Sequence, residues 1–118
     1  MSYVDGFVAA VPDANRDAYI AFARKFDPLF IEHGATRVME CWGDDVPDGK
    51  VTDFRRSVQA KEGETVVFSW IEWPDKAPRD AGMEKVMKDP RMNPADNPMP
   101  WDGARMIFGG FAPVLEVP

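Results

Sequence analysis

Residues 66–73, with the sequence VVFSWIEW, constrain the fold more than any other part of this chain. Their β-branched and aromatic content is typical of a strand, and successive side chains of a strand point to opposite faces. Both faces of this strand are apolar, so both sides of its sheet need cover. The two faces carry Val66, Phe68, Trp70 and Glu72 on one side and Val67, Ser69, Ile71 and Trp73 on the other.

The remaining pattern predicts strand–helix–strand followed by a second strand–helix–strand. Strands are expected at 3–11, 35–42 and 105–114, besides the one that ends at Trp73. An apolar stripe predicts a first helix ending near Gly34. A second helix is expected with Pro78 in its first turn and its body over 81–88, and an extended arm is expected at 54–60. This order fits an α+β fold in which both helices cover one face of a four-stranded antiparallel sheet. A second copy would cover the other face and close a dimeric α/β barrel.

Charge and composition narrow the classes of partner. The 118 residues suffice for a single domain, 1–118, and carry a formal net charge of −6 at pH 7. An acidic chain is a poor ligand for nucleic-acid phosphates and for anionic membranes, so neither is expected as a partner. With a single cysteine, no signal-peptide pattern and no apolar run of ~20 residues, the sequence predicts a cytoplasmic protein.

Two glutamates are candidates for acid–base catalysis. Glu40 shares a face of its predicted strand with Trp42, and Glu72 shares a face of its strand with Trp70. A carboxyl group among aromatic side chains loses hydration, which raises its pKa and suits a general acid or base near neutral pH. The alternative is a strand-end glutamate that reaches solvent or pairs with an arginine such as Arg37.

Four further residues are candidates for ligand binding. Asp5 could line the same cavity as the glutamates, or it could pair with a cation of a neighbouring strand, for which Arg105 is the natural candidate. Arg105 could instead hold an anionic group of a ligand. Trp70 and Trp101 could form walls of an apolar pocket, and the alternative for both is packing in the core or at an interface.

No metal site or cofactor is indicated. His33 is the only histidine, so no His-rich metal site is possible, and the dipole at the end of its helix accounts for its position. The acidic run at 44–49 lacks the ligand spacing of a calcium loop, and no glycine-rich phosphate loop is present. Residues 90–102 contain four prolines and are expected to pack down as a cover.

Five segments of the chain together resemble the DUF1428 family of small bacterial proteins. The resemblance implies a ferredoxin-like βαββαβ fold of the dimeric α/β-barrel group. It implies no function, because the family has no established activity and a fold does not fix chemistry. The segments are YVDGF at 3–7, VMECWGDDVPDG at 38–49, FSWIEWP at 68–74, DPRM at 89–92 and RMIFGGF at 105–111.

Two hypotheses for the function remain open. In the first, a homodimer binds a small molecule, or transforms it without a cofactor, in a cavity at the sheet face, with Glu72 or Glu40 as the acid or base. In the second, the barrel is packed and the dimer is a non-catalytic interaction or stress-related module. An enclosed cavity of ~300 Å³ or more with converging polar groups would favour the first hypothesis.

Overall fold

Four antiparallel strands and two long helices form the body of the protein. The computed structural model describes residues 2–118. The sheet order is β2-β3-β1-β4, which is the ferredoxin-like βαββαβ topology. The predicted α+β class is therefore confirmed. The strands are β1 (Tyr3–Pro12), β2 (Arg37–Trp42), β3 (Glu64–Trp73) and β4 (Ile107–Phe111), and the helices are α1 (Arg16–Glu32), the short α2 (Phe54–Ser57) and α3 (Lys76–Lys88).

The two faces of β3 differ as the alternation of its side chains requires. Val67, Ile71 and Trp73 are buried under α1 and α3, whereas Phe68 on the opposite side remains 43% exposed. The strand register extends this division across the whole sheet. We call the side away from the two long helices the open face. It consists of Val4, Gly6, Val8, Met39, Cys41, Phe68, Trp70, Glu72, Ile107, Gly109 and Phe111.

The molecule is flat because one side of the sheet has no second layer. Its extents are 39 × 38 × 22 Å, and its radius of gyration is 14.9 Å. A spherical domain of this length would have a radius of gyration of about 13.5 Å. The short dimension corresponds to one sheet and one helix layer. No helix in the described residues is long and apolar enough to cross a membrane.

The segment expected to form an extended arm at 54–60 instead begins with the helical turn α2. The Asp53 carboxylate accepts a hydrogen bond of 2.7 Å from the backbone N–H of Arg56, which caps this turn. Val58 follows it, is 1% exposed and packs against Val8 and Val66. The arm prediction was wrong because a capping aspartate stabilises the turn, which then covers one end of the open face.

Aspartate caps also set two other boundaries. Helix α3 begins at Lys76, because Asp75 caps it, and Pro78 falls in its first turn as predicted. Strand β4 begins at Ile107 rather than at residue 105. The preceding residues form a 3₁₀ turn in which Asp102 accepts a hydrogen bond from the N–H of Ala104.

Asp5 joins the sheet to α3. Its carboxylate is 2% exposed and accepts hydrogen bonds from Arg79 Nη2 at 2.7 Å and from the indole N–H of Trp73 at 2.9 Å. The predicted pairing of Asp5 with Arg105 is wrong. Arg105 donates to both carboxylate oxygens of Glu64 at 2.8 Å, whereas Asp5 points toward the helix layer and meets the cation supplied by α3.

Trp73 sets how closely α3 approaches the rest of the fold. The indole is fully buried, and a Cβ atom at Gly82 of α3 would lie 2.5 Å from its ring. The same Cβ would lie 2.5 Å from the backbone oxygen of His33. A side chain at position 82 would therefore push α3 away from the sheet and from the end of α1.

We predict that Asp5→Ala destabilises the protein by about 3 kcal/mol, because the variant leaves the buried Trp73 indole N–H without an acceptor and removes the ion pair with the partly buried Arg79. Urea unfolding followed by tryptophan fluorescence measures this change. Asp80→Asn is the matched control, since Asp80 also binds Arg79 but lies at the surface, and it should leave the unfolding midpoint unchanged. Equal losses in the two variants would contradict the anchoring role of Asp5.

Candidate functional site

A cavity of ≈ 230 Å³ lies between α1 and the sheet. We call it the inner pocket. Its walls are almost entirely apolar, with aromatic rings from α1 and β1 on two sides and methionines on a third. Methionine side chains are flexible and adapt to ligands of different shape. The apolar lining includes Phe7, Phe22, Phe26, Phe30, Val38, Ile71, Met87, Met92, Met99, Trp101 and Met106.

The proline-rich loop at 90–102 packs down as a cover, as predicted, and contributes Met92, Met99 and Trp101 to the lining of the inner pocket. Its Trp101 ring packs edge-on against Tyr19 and Phe22, with centroid distances of 5.4 and 5.3 Å. Polar contacts with α1 and with the turn that precedes it hold the loop down. Lys25 Nζ donates to Asn97 Oδ1 at 2.8 Å, and the Asn15 side-chain amide donates to the backbone oxygen of Pro100 at 2.9 Å.

A cluster of four polar side chains forms one wall of the inner pocket. The Tyr19 hydroxyl donates to both oxygens of Glu40, at 3.0 and 3.2 Å. Asp27 and Ser69 line the same wall beside this carboxylate. Tyr19 and Asp27 come from α1, while Glu40 and Ser69 are register partners on β2 and β3. Helix and sheet thus bring together two carboxyl groups and two hydroxyl groups at an apolar cavity.

The two carboxyl groups lie close enough to titrate as a pair. Burial is the largest cause, and the adjacent Glu40 charge the next, of a rise in the pKa of Asp27 to about 7. Burial also raises the pKa of Glu40, while the hydrogen bond from Tyr19 opposes the rise. Asp27 is therefore the carboxyl group of the pair that holds a proton closest to neutral pH. The titration nevertheless belongs to the pair.

Tyr19 stays protonated in this environment. Burial raises the pKa of its phenol well above the usual value, and the negative charge of Glu40 raises it further. The hydroxyl therefore acts as a fixed hydrogen-bond donor to Glu40 rather than as an acid or base. Its part in the cluster is to orient and stabilise the Glu40 carboxylate.

A second cavity meets the first at this cluster. An open groove of ≈ 700 Å³ runs between α1 and the edge strand β2, and we call it the flank groove. Tyr19, Asp27 and Glu40 line both cavities. Glu40 retains exposed surface because it faces this groove, although apolar neighbours limit its hydration. A molecule that enters through the flank groove would reach the carboxyl pair before the inner pocket.

The inner pocket has one polar atom without a partner at its rim. Among the described residues, the indole Nε1 of Trp101 is buried and has no hydrogen-bond acceptor. An unsatisfied buried donor costs roughly 1–3 kcal/mol. An acceptor on a ligand beside Trp101 would remove this cost.

The six residues proposed from the sequence do not form one site. Two lie on each of two surfaces, and the other two are held in ion pairs. Glu40 and Trp101 line the inner pocket. Glu72 and Trp70 lie on the open face, where the Trp70 indole N–H donates to Glu72 Oε2 at 2.8 Å. The sheet stands between Glu40 and Glu72, so the two candidate acid–base groups do not share a cavity. Glu72 also lies 3.9 Å from Arg37, while Asp5 and Arg105 are engaged with Arg79 and Glu64.

Sequence reasoning missed Asp27 and Tyr19 as members of a site. One signal for Asp27 is present in the sequence, because it interrupts the apolar side of α1 between Ala23 and Phe30. A carboxyl group on the inward side of a helix needs a partner or a raised pKa. Tyr19 gives no such signal, because a tyrosine in an apolar stripe is ordinary core packing.

Three potential metal ligands also converge, at the end of α1. Glu32, His33 and Asp89 bring their ligand atoms within 4.8 Å of one another. Arg91 donates hydrogen bonds to both carboxylates. Its guanidinium offsets one of their two charges and occupies their oxygen atoms, so the cluster is explained as an ion pair that fastens the start of the proline-rich loop to α1.

Fold and site together describe a ferredoxin-like protein with an apolar pocket and a carboxyl pair. The chain belongs to the family described as "Protein of unknown function (DUF1428)", whose model matches residues 2–103. It is 59% identical over 116 residues to the uncharacterized protein YbaA of Escherichia coli K12, covering 98% of this chain and 99% of that protein. The resemblance seen in the sequence is thereby confirmed.

Solved structures with the same fold are more distant. A dimeric ferredoxin-like protein from an uncultured marine organism matches with a TM-score of 0.64 and 15% identity, covering 99% of this chain and 100% of that chain. SnoaB of Streptomyces nogalater, a cofactor-independent oxygenase, matches with a TM-score of 0.54 and 13% identity over 99% of this chain and 95% of its own. At these identities the likeness concerns the fold alone.

We predict that Asp27→Asn makes the protein more stable at pH 8 but not at pH 4. The native Asp27 binds its proton up to about pH 7, against 3.8 for an ordinary carboxyl group. Folding therefore takes up a proton between these values, and native stability falls as the pH rises through this window. The asparagine side chain is neutral at every pH, so the variant should gain on the order of 1–2 kcal/mol at pH 8, allowing for partial hydration of the pair.

Urea unfolding at pH 4 and at pH 8 provides the measurement. Asp17→Asn is the control, since it removes an exposed carboxyl group from the same helix outside both cavities. A difference between native and Asp27→Asn protein that does not change with pH would refute the raised pKa of Asp27.

Proposed function

We propose that the protein is an enzyme that moves a proton on a small, largely apolar organic molecule, with Asp27 and Glu40 as the acid–base pair. The observation that carries this proposal is the hydrogen bond of Tyr19 to Glu40, with the Asp27 carboxyl beside it, at the meeting point of the inner pocket and the flank groove. Proton transfer by a positioned side chain typically accelerates a reaction by 10²–10⁴-fold.

The two carboxyl groups have different roles in this proposal. Asp27 has a pKa of about 7, so at neutral pH a large fraction of the protein can either give or take a proton. Glu40 is the ionised partner, held in place by the Tyr19 hydroxyl. After Asp27 gives up its proton, its new charge lies beside Glu40, and this repulsion makes Asp27 a stronger base.

The inner pocket supports an apolar substrate of modest size. Its ≈ 230 Å³ is below the ~300 Å³ that would favour a ligand site by volume. The support therefore comes from its aromatic and methionine walls and its converging polar groups, which suit a one-ring or two-ring compound. The unpaired indole N–H of Trp101 offers a donor for an oxygen atom of such a compound. SnoaB, a structural relative described as a cofactor-independent oxygenase, illustrates that this fold can carry out chemistry on small molecules.

This proposal moves the site from the open face to the helix side of the sheet. Glu40 and Trp101 keep the roles expected of an acid–base group and a pocket wall. Glu72 and Trp70 belong to a separate groove of ≈ 620 Å³ on the open face, which only a second copy would close. Asp5 and Arg105 act as structural ion pairs in this proposal.

We predict that Glu40→Gln lowers turnover by about 10²-fold or more, because the amide cannot exchange a proton with Asp27. The substrate is first sought by thermal-shift screening of organic acids, phenols and quinones, in which a ligand at 100 times its dissociation constant adds roughly 2.7 kcal/mol of stability. Turnover of the stabilising compounds is then followed by mass spectrometry. Circular dichroism of the variant checks that it is folded.

Glu72→Gln is the matched control for this experiment. Glu72 is likewise a strand glutamate, but it lies on the other side of the sheet, so its variant should turn over substrate at the native rate. Loss of activity in Glu72→Gln with full activity in Glu40→Gln would move the site back to the open face. Ala23→Phe, which adds bulk where the two cavities meet, should abolish both the thermal shift and the turnover.

A homodimer is the second part of the proposal. The open face exposes Phe68, Ile107 and Phe111 at 43%, 45% and 63%, a concentration of apolar surface that a monomer seldom leaves in water. A standard interface buries about 800 Å² on each partner, and the broad side of this flat molecule can supply it. The marine structural relative is described as dimeric. If the dimer had no active site, the packed open face would still serve a non-catalytic interaction module.

We predict that native protein sediments as a dimer at micromolar concentration and that Phe68→Glu sediments as a monomer. In the variant dimer, the new glutamate carboxylate would be buried without a cationic partner at the centre of the interface, which opposes association. Ile31→Glu is the matched control, because Ile31 is 46% exposed but lies on α1, away from the open face. A monomeric native protein, or dissociation of both variants alike, would refute assembly through this face.

A further inference from the structure

Two arginines differ from the others in the described part of the chain. Arg16 and Arg24 have neither a side-chain hydrogen bond nor a carboxylate within ion-pair distance. Each of the other arginines donates to a carboxylate, a backbone oxygen or, in one case, a sulfur atom. Those arginines are Arg37, Arg55, Arg56, Arg79, Arg91 and Arg105.

Both free arginines line the same cavity, the flank groove. They lie two turns apart on α1, a rise of about 12 Å. Arg16 stacks over Trp42 of β2, with its guanidinium carbon 5.5 Å from the ring centroid. Arg24 follows Ala23 and precedes Asp27 by three residues, so it lies next to the carboxyl pair on the helix surface. Two unpaired guanidinium groups therefore flank the path to Asp27 and Glu40.

The charge of the flank groove is opposite to that of the chain. The charged groups along it are Arg16, Arg24, Asp27 and Glu40. With its pKa raised to about 7, the Asp27 carboxyl is only partly ionised at neutral pH, so the two arginines outweigh the carboxylates in the groove, whereas the whole chain carries −6. A positive groove on an acidic protein concentrates anions at one place.

Building on the proposed function, we propose that the substrate is an amphipathic organic anion whose carboxylate binds Arg24, with Arg16 as the second cation. Its apolar ring system extends past Asp27 and Glu40 into the inner pocket. Guanidinium groups match the planar geometry of a carboxylate and bind it through paired hydrogen bonds. The arrangement places the atoms next to the anionic group, rather than the far end of the ring system, beside the carboxyl pair.

The test compares two probes of nearly equal shape, 2-naphthoate and the neutral 2-naphthamide. Both are titrated at pH 7 into ¹⁵N-labelled native protein, and amide shifts give the dissociation constants and the location. We expect naphthoate to bind about five- to tenfold more tightly than naphthamide, as a partly exposed charge-assisted hydrogen bond would require. The shifts should concentrate along α1 and β2.

Arg24→Gln should weaken naphthoate binding by about five- to tenfold and leave naphthamide binding unchanged. Lys85→Gln is the control, because it removes the same charge from an exposed position on α3 that lines none of the cavities. If Lys85→Gln weakened naphthoate binding equally, the overall charge of the protein would account for the loss of affinity, and the role of Arg24 would be overturned.

The remaining outcomes separate this inference from the proposed function. Equal affinity of native protein for the two probes, with both excluded by Ala23→Phe, would overturn the anionic substrate class and leave the acid–base site in place. Binding of neither probe would overturn the inference for ring systems of this size. The turnover of Glu40→Gln tests the proposed function independently of either result.

Discussion

The alternation of side chains along β3 is the constraint on which the rest of the structure depends. Neighbouring residues of this central strand belong to different environments, so one residue is covered by the helices and the next faces the open side. The same rule divides every other strand of the sheet. It puts Glu40 under α1 and Glu72 on the open face, although both are strand glutamates beside a tryptophan. Two separate surfaces with different chemistry result from one sheet.

The helix side of the sheet contains a set of buried hydrogen bonds that stabilises the fold and a polar cluster that lowers its stability. Asp5, Arg79 and Trp73 tie β1, β3 and α3 together through buried hydrogen bonds. Within this frame, two carboxyl groups lie against an apolar cavity, and that of Asp27 is only partly ionised near neutral pH. Such an arrangement costs stability, and proteins commonly bear this cost where a perturbed pKa serves a chemical step.

Much of the fold was predictable because it rests on local pattern. The apolar stripe of α1, the two-sided character of β3 and the covering role of the proline-rich loop all follow from residue spacing. The errors came from weaker local signals, since one aspartate cap turned residues 54–57 into a helix and another formed the turn that delays the start of β4. The partner of Asp5 was missed because Arg79 lies 74 residues away and reaches it only when α3 packs on the sheet.

The sequence by itself determined which side chains share a face, how many elements form and that one side of the sheet stays bare, because these properties depend on the period of a strand or a helix. Only the tertiary structure decided which faces meet. It brought Tyr19 and Asp27 of α1 to Glu40 of β2 and gathered two free arginines around them. The raised pKa of Asp27 and the positive groove depend on how closely α1 packs against β2. The spacing of residues along the chain does not specify that distance.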